Sequence, residues 1–241
     1  MSSTHNITSL NILEEIASAN PAISEFSFST LDPAPLLQER STLSTLDNQV
    51  AEAALALRRE LKLPFWDGAL LSCSNQDEVP AGILRGASFH QSLEGKCTHI
   101  KADAVSVDLL SELSTSACIA NKILAVNSTL KKFDGSISHL PLIDFHVSSS
   151  PTNTILVSNL LSHMGLCGWL LGSGKSYHFY GAKLLSKDEL ISFLGRFLLF
   201  SPIVDRSWIA HQLIEGCCTL RISPRPEYGS SPILVKRIEL A

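Results

Sequence analysis

Apolar residues recur at helical spacing in one stretch of the first half of the chain, "TLDNQVAEAALALRRELK". This stretch predicts an amphipathic helix, capped by Asp47, whose apolar face contains Val50, Ala54, Leu55 and Leu57. The Ser- and Thr-rich residues 1–47 show no comparable period, which predicts a loosely packed arm followed by a main domain over residues 48–241. The short apolar run "LPFWDGALLSCS" predicts a buried strand.

The pattern becomes sharper from residue 139 onward. The run "HLPLIDFHV" predicts a strand, and "PTNTILVSNLLSHMG" predicts a helix that starts near Pro151 and ends at Gly165. Two further strands surround a turn at Gly172–Gly174, and a Ser186–Glu189 capping box opens the next helix. A short helix, "DRSWIAHQLIEG", and the strands "CCTLRIS" and "SPILVKRIEL" complete the chain. This order predicts an α+β fold, with helices packed on a mixed sheet.

Composition limits the function classes. The 241 residues are 45% hydrophobic and 17% charged, as in an ordinary globular protein, and the net charge is -4. That charge gives no general attraction to nucleic acid, so nucleic-acid binding would need a local basic patch. The six cysteines lack C-x-x-C spacing, the N-terminus lacks a signal peptide, and the longest apolar stretch is too short to span a bilayer. We therefore expect a cytoplasmic protein with free thiols and no membrane partner.

The segment "LLGSGKSYHFYG" has the glycines, lysine and serine of a phosphate-binding loop. A Walker loop would need glycine where Trp169 stands, and Gly168 lies one residue too early. The aromatic residues after Ser176 also favour a strand instead of the helix that follows a Walker loop. The segment therefore predicts a strand, a glycine turn and a strand that face phosphate.

Carboxylates and imidazoles lie at several predicted strand ends. Two separated aspartates and one histidine could hold a divalent cation, Mg²⁺ or Mn²⁺. These residues are Asp144, His146 and Asp205, and the imidazole favours Mn²⁺. The glycine turn supplies donors to a triphosphate: Lys175, Ser176 and His178. A metal that bridges oxygens and cations that neutralise phosphate charge are what nucleotidyl transfer requires.

Several of these residues, and Arg221 in the predicted strand "CCTLRIS", also have a simpler interpretation. Asp144 is equally consistent with a turn residue, and Asp205 with the N-cap of the helix that follows it. His146 is compatible with a half-buried structural histidine, and Arg221 with an ion pair across the sheet. The sequence alone leaves these alternatives open.

Three motifs resemble those of the archaeo-eukaryotic primase superfamily, and in particular its small, divergent bacterial members. They are "LPLIDFHV", "GSGKSYHFYG" and "DRSWIAHQLIEGCCTLRIS", which stand in the family's order and cover about residues 139–241. The family pattern is a hydrophobic-D-x-[D/E] motif, an S-x-H strand, and a hydrophobic-Asp motif often followed by an L-R strand. The resemblance implies a primase-like, RRM-like catalytic core.

The resemblance also implies roles for individual residues. Asp144 and Asp205 would be metal ligands, and His178 would contact the phosphates of the incoming nucleotide, so that these three are the expected catalytic residues. Lys175 and Ser176 would flank the phosphates, and Arg221 would lie beside the site. The second acid of the first motif is replaced by His146, which adds no negative charge. The site would then use Mn²⁺ or one metal ion, or would have kept nucleotide binding without polymerisation.

The resulting expectation is metal-dependent, template-directed transfer of nucleotides to a 3′-hydroxyl, with nucleoside triphosphates and a single-stranded nucleic-acid template as partners. One alternative is a degenerate primase fold that binds nucleotide or nucleic acid within a larger complex, where a protein partner supplies the template. A metal-dependent phosphodiesterase or nuclease that uses the same acids is a third possibility.

Overall fold

The structure, a computed structural model, describes residues 6–33, 35–61, 63–74, 76–224 and 229–239. The chain divides into two compact units. The larger unit consists of Met1–Pro33 with Ser92–Ala241, and the smaller unit is Ala34–Gln91.

Helices and strands alternate irregularly along the chain. The helices are α1 (Ser9–Ala19), α2 (Leu37–Arg40), α3 (Thr45–Leu61), α4 (Phe65–Cys73), α5 (Ala81–Ala87), α6 (Val107–Ile119), α7 (Pro151–His163), α8 (Lys187–Leu198) and α9 (Arg206–Glu215). The strands are β1 (Ile23–Leu31), β2 (Cys97–Lys101), β3 (Ile123–Lys132), β4 (Ile137–His139), β5 (Leu142–Asp144), β6 (Gly168–Gly172), β7 (Tyr177–Gly181), β8 (Thr219–Arg221) and β9 (Ile233–Ile238). Within the described ranges, every helix is too short or too polar to span a bilayer.

The larger unit contains two sheets. The first sheet has the order β2-β1-β3-β4, with β8 also paired to β3, and the second has the order β5-β7-β6-β9. The predicted α+β class is confirmed. Where a mixed sheet was expected, the strand pairs among the described residues are antiparallel. Short connections such as the one between β6 and β7 join antiparallel neighbours, because a parallel pair needs a long crossover.

Residues 9–31 differ from the loosely packed arm that the sequence predicts over residues 1–47. Helix α1 buries Ile12 and Leu13, and β1 buries Phe26 and Phe28, all in the core of the larger unit. In β1 the phenylalanines alternate with serines, and this alternation is the pattern of a strand with one apolar face. A high serine content therefore concealed a core strand, and the division between units falls after residue 33.

The smaller unit is helical in its described parts. The predicted helix is confirmed as α3, with Val50 and Ala54 buried, but Leu55, which was predicted on the apolar face, is exposed. Asp47 lies in the first turn and accepts hydrogen bonds from the N–H groups of Ser44 and Ile83. The strand predicted from "LPFWDGALLSCS" is wrong, because Phe65–Cys73 forms helix α4. Short apolar runs fit a strand and a buried helix equally well by periodicity. Gly68 allows this helix to pack closely on α3, since a Cβ placed at Gly68 would lie 3.2 Å from the carbonyl oxygen of Ala54.

Local signals in the second half are confirmed. Ser150 caps α7 with Pro151 in its first turn, and the Ser186–Glu189 capping box opens α8. Strands β6 and β7 form the expected antiparallel pair around the glycine turn. These elements bring three segments of the chain to the same edge of the second sheet.

His139, at the end of β4, is a buried histidine that the sequence pattern did not single out. The Ser128 hydroxyl accepts the N–H of Cys218 and lies 3.2 Å from Nδ1 of His139. Ser128 therefore keeps its own proton to donate to a neutral imidazole. Burial lowers the pKa of His139, and the charge of Lys187 lowers it further.

We expect the free energy of unfolding to decrease as the pH falls below about 6.5, the ordinary histidine value. The unfolded chain takes up a proton there that the folded His139 does not, so the slope reaches up to about 1.4 kcal/mol per pH unit. Urea denaturation at about pH 7.5 and about pH 5.5 measures it. The variant His139→Asn should show a smaller pH dependence, and an unchanged dependence would contradict the assignment.

Candidate active site

Three backbone segments place the predicted acids and one histidine side by side. Asp144 ends β5 and lies directly opposite His178 of β7. On its other side, Phe145 bridges to Val204, and the N–H of Asp205 donates to the carbonyl of Asp144 at 3.1 Å. Residues opposite each other in antiparallel segments point to the same face. Asp205, Asp144 and His178 therefore share one face of the second sheet.

The side chains on this face form two histidine–aspartate pairs. His178 Nε2 lies 3.6 Å from Asp144 Oδ1, and His146 Nδ1 lies 3.7 Å from Asp205 Oδ2. Both separations are ion-pair distances, longer than a hydrogen bond. The side chain of His178 is 7% exposed and that of His146 is 51% exposed, so the first imidazole is sheltered and the second is open to solvent, while the two aspartates are exposed to a similar extent.

Asp205 also acts as a helix cap, as one of the sequence interpretations proposed. Its Oδ1 accepts the N–H of Trp208 at 2.9 Å, at the start of α9. Oδ2 is the oxygen that faces His146. The cap therefore fixes the orientation of the carboxylate and still leaves one oxygen directed toward the other candidate residues.

Residues Ser173–Ser176, here called the site turn, connect β6 to β7. Gly174 adopts φ +108, a backbone conformation that a side chain would disfavour. The Ser176 hydroxyl donates to the carbonyl of Phe145, and the N–H of Ser149 donates to the carbonyl of Lys175 at 2.9 Å. Lys175 is exposed, whereas the proton of the Ser176 hydroxyl is engaged by the backbone next to Asp144.

Arg221 approaches the site turn from the first sheet. Its Nη2 donates to the carbonyl of Ser173 at 2.6 Å, and its Nη1 donates to the carbonyl of Ser223. From the sequence, Arg221 is compatible with a place beside the nucleotide or with an ion pair across the sheet. The hydrogen bonds to two backbone carbonyls are a third arrangement, in which Arg221 lies beside the site, as the resemblance implies.

The donor set fits a divalent cation in its chemistry, with two carboxylates and an imidazole on neighbouring segments. The side chains of Asp144, His146 and Asp205 are nevertheless arranged as parts of two pairs. Among the residues that the structure describes, no group of three or more His, Cys, Asp or Glu side chains is placed to hold a metal ion. The metal site therefore stays a prediction.

Tyr180 is a residue on the same face that the sequence pattern could have identified. It lies two residues after His178 on β7, and alternation in a strand places both on one face. Its hydroxyl is buried without a hydrogen-bond partner among the described residues. Burial raises the pKa of Tyr180, while the charge of Arg221 acts in the opposite direction, so the phenol is neutral at pH 7.

A family model described as archaeo-eukaryotic primase 1D-like matches residues 107–232, more than half of the chain, and this range contains all the candidate site residues. No curated protein matches the chain. A solved structure of the polymerase domain from Mycobacterium tuberculosis ligase D in complex with DNA is similar at 12% identity and a TM-score of 0.40, over 92% of this chain and 79% of that chain.

Proposed function

Because this chain belongs to the archaeo-eukaryotic primase 1D-like family, we propose that it transfers nucleotides to a 3′-hydroxyl under the direction of a nucleic-acid template. The observation that carries the proposal is the common sheet face of Asp144, His178 and Asp205. The site turn, with its exposed Lys175, lies immediately before β7, the strand that carries His178. Carboxylates for metal binding and a cation for phosphate are thus available in one place.

In the proposed reaction, the 3′-hydroxyl oxygen forms a bond to the α-phosphate of a nucleoside triphosphate, the bond to pyrophosphate breaks, and the hydroxyl proton passes to water. Asp144 and Asp205, together with His146, would hold Mg²⁺ or Mn²⁺, which when bound neutralises the charge on the reacting phosphate oxygens. His178, kept beside Asp144, would contact the nucleotide phosphates. Lys175 would steady the triphosphate from the site turn, where its charge opposes the charge that develops on the leaving group.

A second candidate function is nucleotide or nucleic-acid binding without catalysis. It is favoured by the arrangement of the acids in two histidine–aspartate pairs and by the exposed His146, which brings no negative charge to the site. The net charge of -4 also argues that a protein partner would help to hold a template. Nucleotide binding without incorporation would be the signature of this alternative.

The test is incorporation of labelled nucleotides on single-stranded and primed templates, in Mg²⁺ and separately in Mn²⁺. We expect synthesis in Mn²⁺ to exceed synthesis in Mg²⁺ by about tenfold, because the imidazole of His146 suits Mn²⁺ better than Mg²⁺. No incorporation in either metal, with nucleotide still bound, would replace catalysis by the binding function.

The matched variant is His146→Asp, which gives the first motif a second carboxylate. It is expected to shift the metal preference toward Mg²⁺, because oxygen ligands with negative charge suit this ion. A preference that does not change would contradict a ligand role for residue 146. End-labelled DNA in the same reactions reports any nuclease activity, which would point to the phosphodiesterase alternative.

A further inference from the structure

We propose that Arg221 is a positioning residue, which holds the site turn through the Ser173 carbonyl and sets the place of Lys175 without contacting phosphate itself. The role of the turn in nucleotide binding rests on the function proposed above. The position of the turn, in contrast, is a property of the protein alone and can be measured without nucleotide.

Arg221 lies in one sheet of the larger unit, and Ser173 directly follows a strand of the other. Arg221 belongs to β8, which pairs with β3 in the first sheet, opposite Ala125. Ser173 follows β6 of the second sheet. The hydrogen bond of 2.6 Å from Nη2 to the Ser173 carbonyl therefore ties the two sheets together at the start of the site turn.

Other hydrogen bonds also hold the site turn. Within the turn, the N–H of Ser173 donates to the carbonyl of Ser176 at 2.9 Å. Two further hydrogen bonds join the turn to the chain between β5 and α7. The N–H of Ser149 donates to the Lys175 carbonyl, and the Ser176 hydroxyl donates to the Phe145 carbonyl. Arg221 thus adds a charged donor from the first sheet, and hydrogen bonds from charged groups are stronger than neutral ones.

The guanidinium of Arg221 donates to two backbone carbonyls. Its two terminal nitrogens donate in different directions, to Ser173 and to Ser223, so the planar group is fixed by its own strand and by the turn. Each of these two hydrogen bonds uses one of the five guanidinium N–H groups, so backbone carbonyls set the orientation of the group. A lysine keeps the charge but lacks the planar fork that spans two carbonyls. This difference separates positioning from direct phosphate binding.

The first measurement is amide hydrogen exchange in the nucleotide-free protein. In Arg221→Gln and in Arg221→Lys, the amides of Ser149 and Ser173 are expected to exchange about tenfold faster than in the wild type, because the turn opens more often. Arg196→Gln, which changes an exposed arginine on α8, serves as the control and should leave these amides unchanged. Unaltered exchange in both Arg221 variants would overturn the proposal.

The second measurement is a double-mutant cycle with Lys175→Ala, read as the affinity for labelled ATP and dATP in Mn²⁺. If Arg221 acts through the turn, Arg221→Gln and Lys175→Ala each weaken binding about tenfold and the double variant is weaker by about tenfold as well. If the two side chains instead contacted phosphate independently, their effects would multiply, and the double variant would bind nucleotide about a hundredfold more weakly than the wild type. Arg221→Lys would then keep most of the affinity. That result would overturn positioning in favour of direct contact.

The two hypotheses fail in different ways. A wild-type protein that binds neither ATP nor dATP would reject the proposed nucleotide site, while the exchange of the turn amides would still decide the role of Arg221. Circular dichroism of each variant confirms that the fold is retained. Because Arg221→Lys keeps the charge, it also serves as the second variant if Arg221→Gln fails to fold.

Discussion

Asp144→Asn is expected to lower the rate of nucleotide incorporation by about 10³-fold while the fold stays intact. A metal ion contributes several kcal/mol of charge stabilisation in the transition state, and about 4 kcal/mol corresponds to this factor. Asparagine has the size of aspartate but lacks the charge that would hold the metal beside His178. Its side chain would occupy the same place at the end of β5, opposite the same neighbours. Single-turnover incorporation in saturating Mn²⁺ measures the effect.

The matched control is Asp134→Asn, in the turn between β3 and β4. Asp134 Oδ1 accepts from the N–H and the hydroxyl of Ser136, so this aspartate has a turn role outside the candidate site. We expect its incorporation rate to equal that of the wild type. If Asp144→Asn keeps the wild-type rate, Asp144 is not a metal ligand and the simpler interpretation of a strand-end residue holds. If both variants lose activity together, a loss of folding explains the result, and urea denaturation would show it.

The elements around the site could be predicted because their signals are local. Pro151 and the capping box at Ser186 lie at the start of their helices, and the glycine turn separates two strands that pair directly. A few neighbouring residues determine these structures, so short patterns carry the information. The motif order then led to the family, which the match over residues 107–232 supports.

The partners of the site residues could not be predicted, because strand register determines them. The sequence places Asp144, His178 and Asp205 far apart, and the pairing of β5 with β7 and the bridge at Phe145 bring them together. The tie from Arg221 to Ser173 likewise connects two sheets whose relation no local pattern contains. Helix α1 and strand β1 were missed for a different reason, because the high serine and threonine content of residues 1–47 concealed the apolar pattern that both elements carry in the sequence itself.

Gly168 is a position where we expect a substitution to lower the free energy of unfolding strongly, because β6 and β7 approach each other closely there. Gly168 opens β6 with φ +151, and it pairs with Gly181 on one side and with Ile238 on the other. A Cβ at this position would lie 2.1 Å from the carbonyl oxygen of Tyr180 and 2.9 Å from the Cα of Gly181. Both are backbone atoms of β7, so the contact is relieved only if the two strands separate.

Gly168→Ala is therefore expected to lower the free energy of unfolding by about 3 kcal/mol or more, from backbone strain and overpacking together. Urea denaturation measures the loss, and the control is Gly195→Ala in the middle of α8, where a Cβ meets no atom within 4 Å. That change should stabilise the protein by up to about 1 kcal/mol, since alanine favours a helix. Equal effects of the two substitutions would contradict the close approach of β6 and β7. Because β7 carries His178, a shift of this strand pair would also displace the imidazole from Asp144, so nucleotide binding should weaken in Gly168→Ala and stay unchanged in Gly195→Ala.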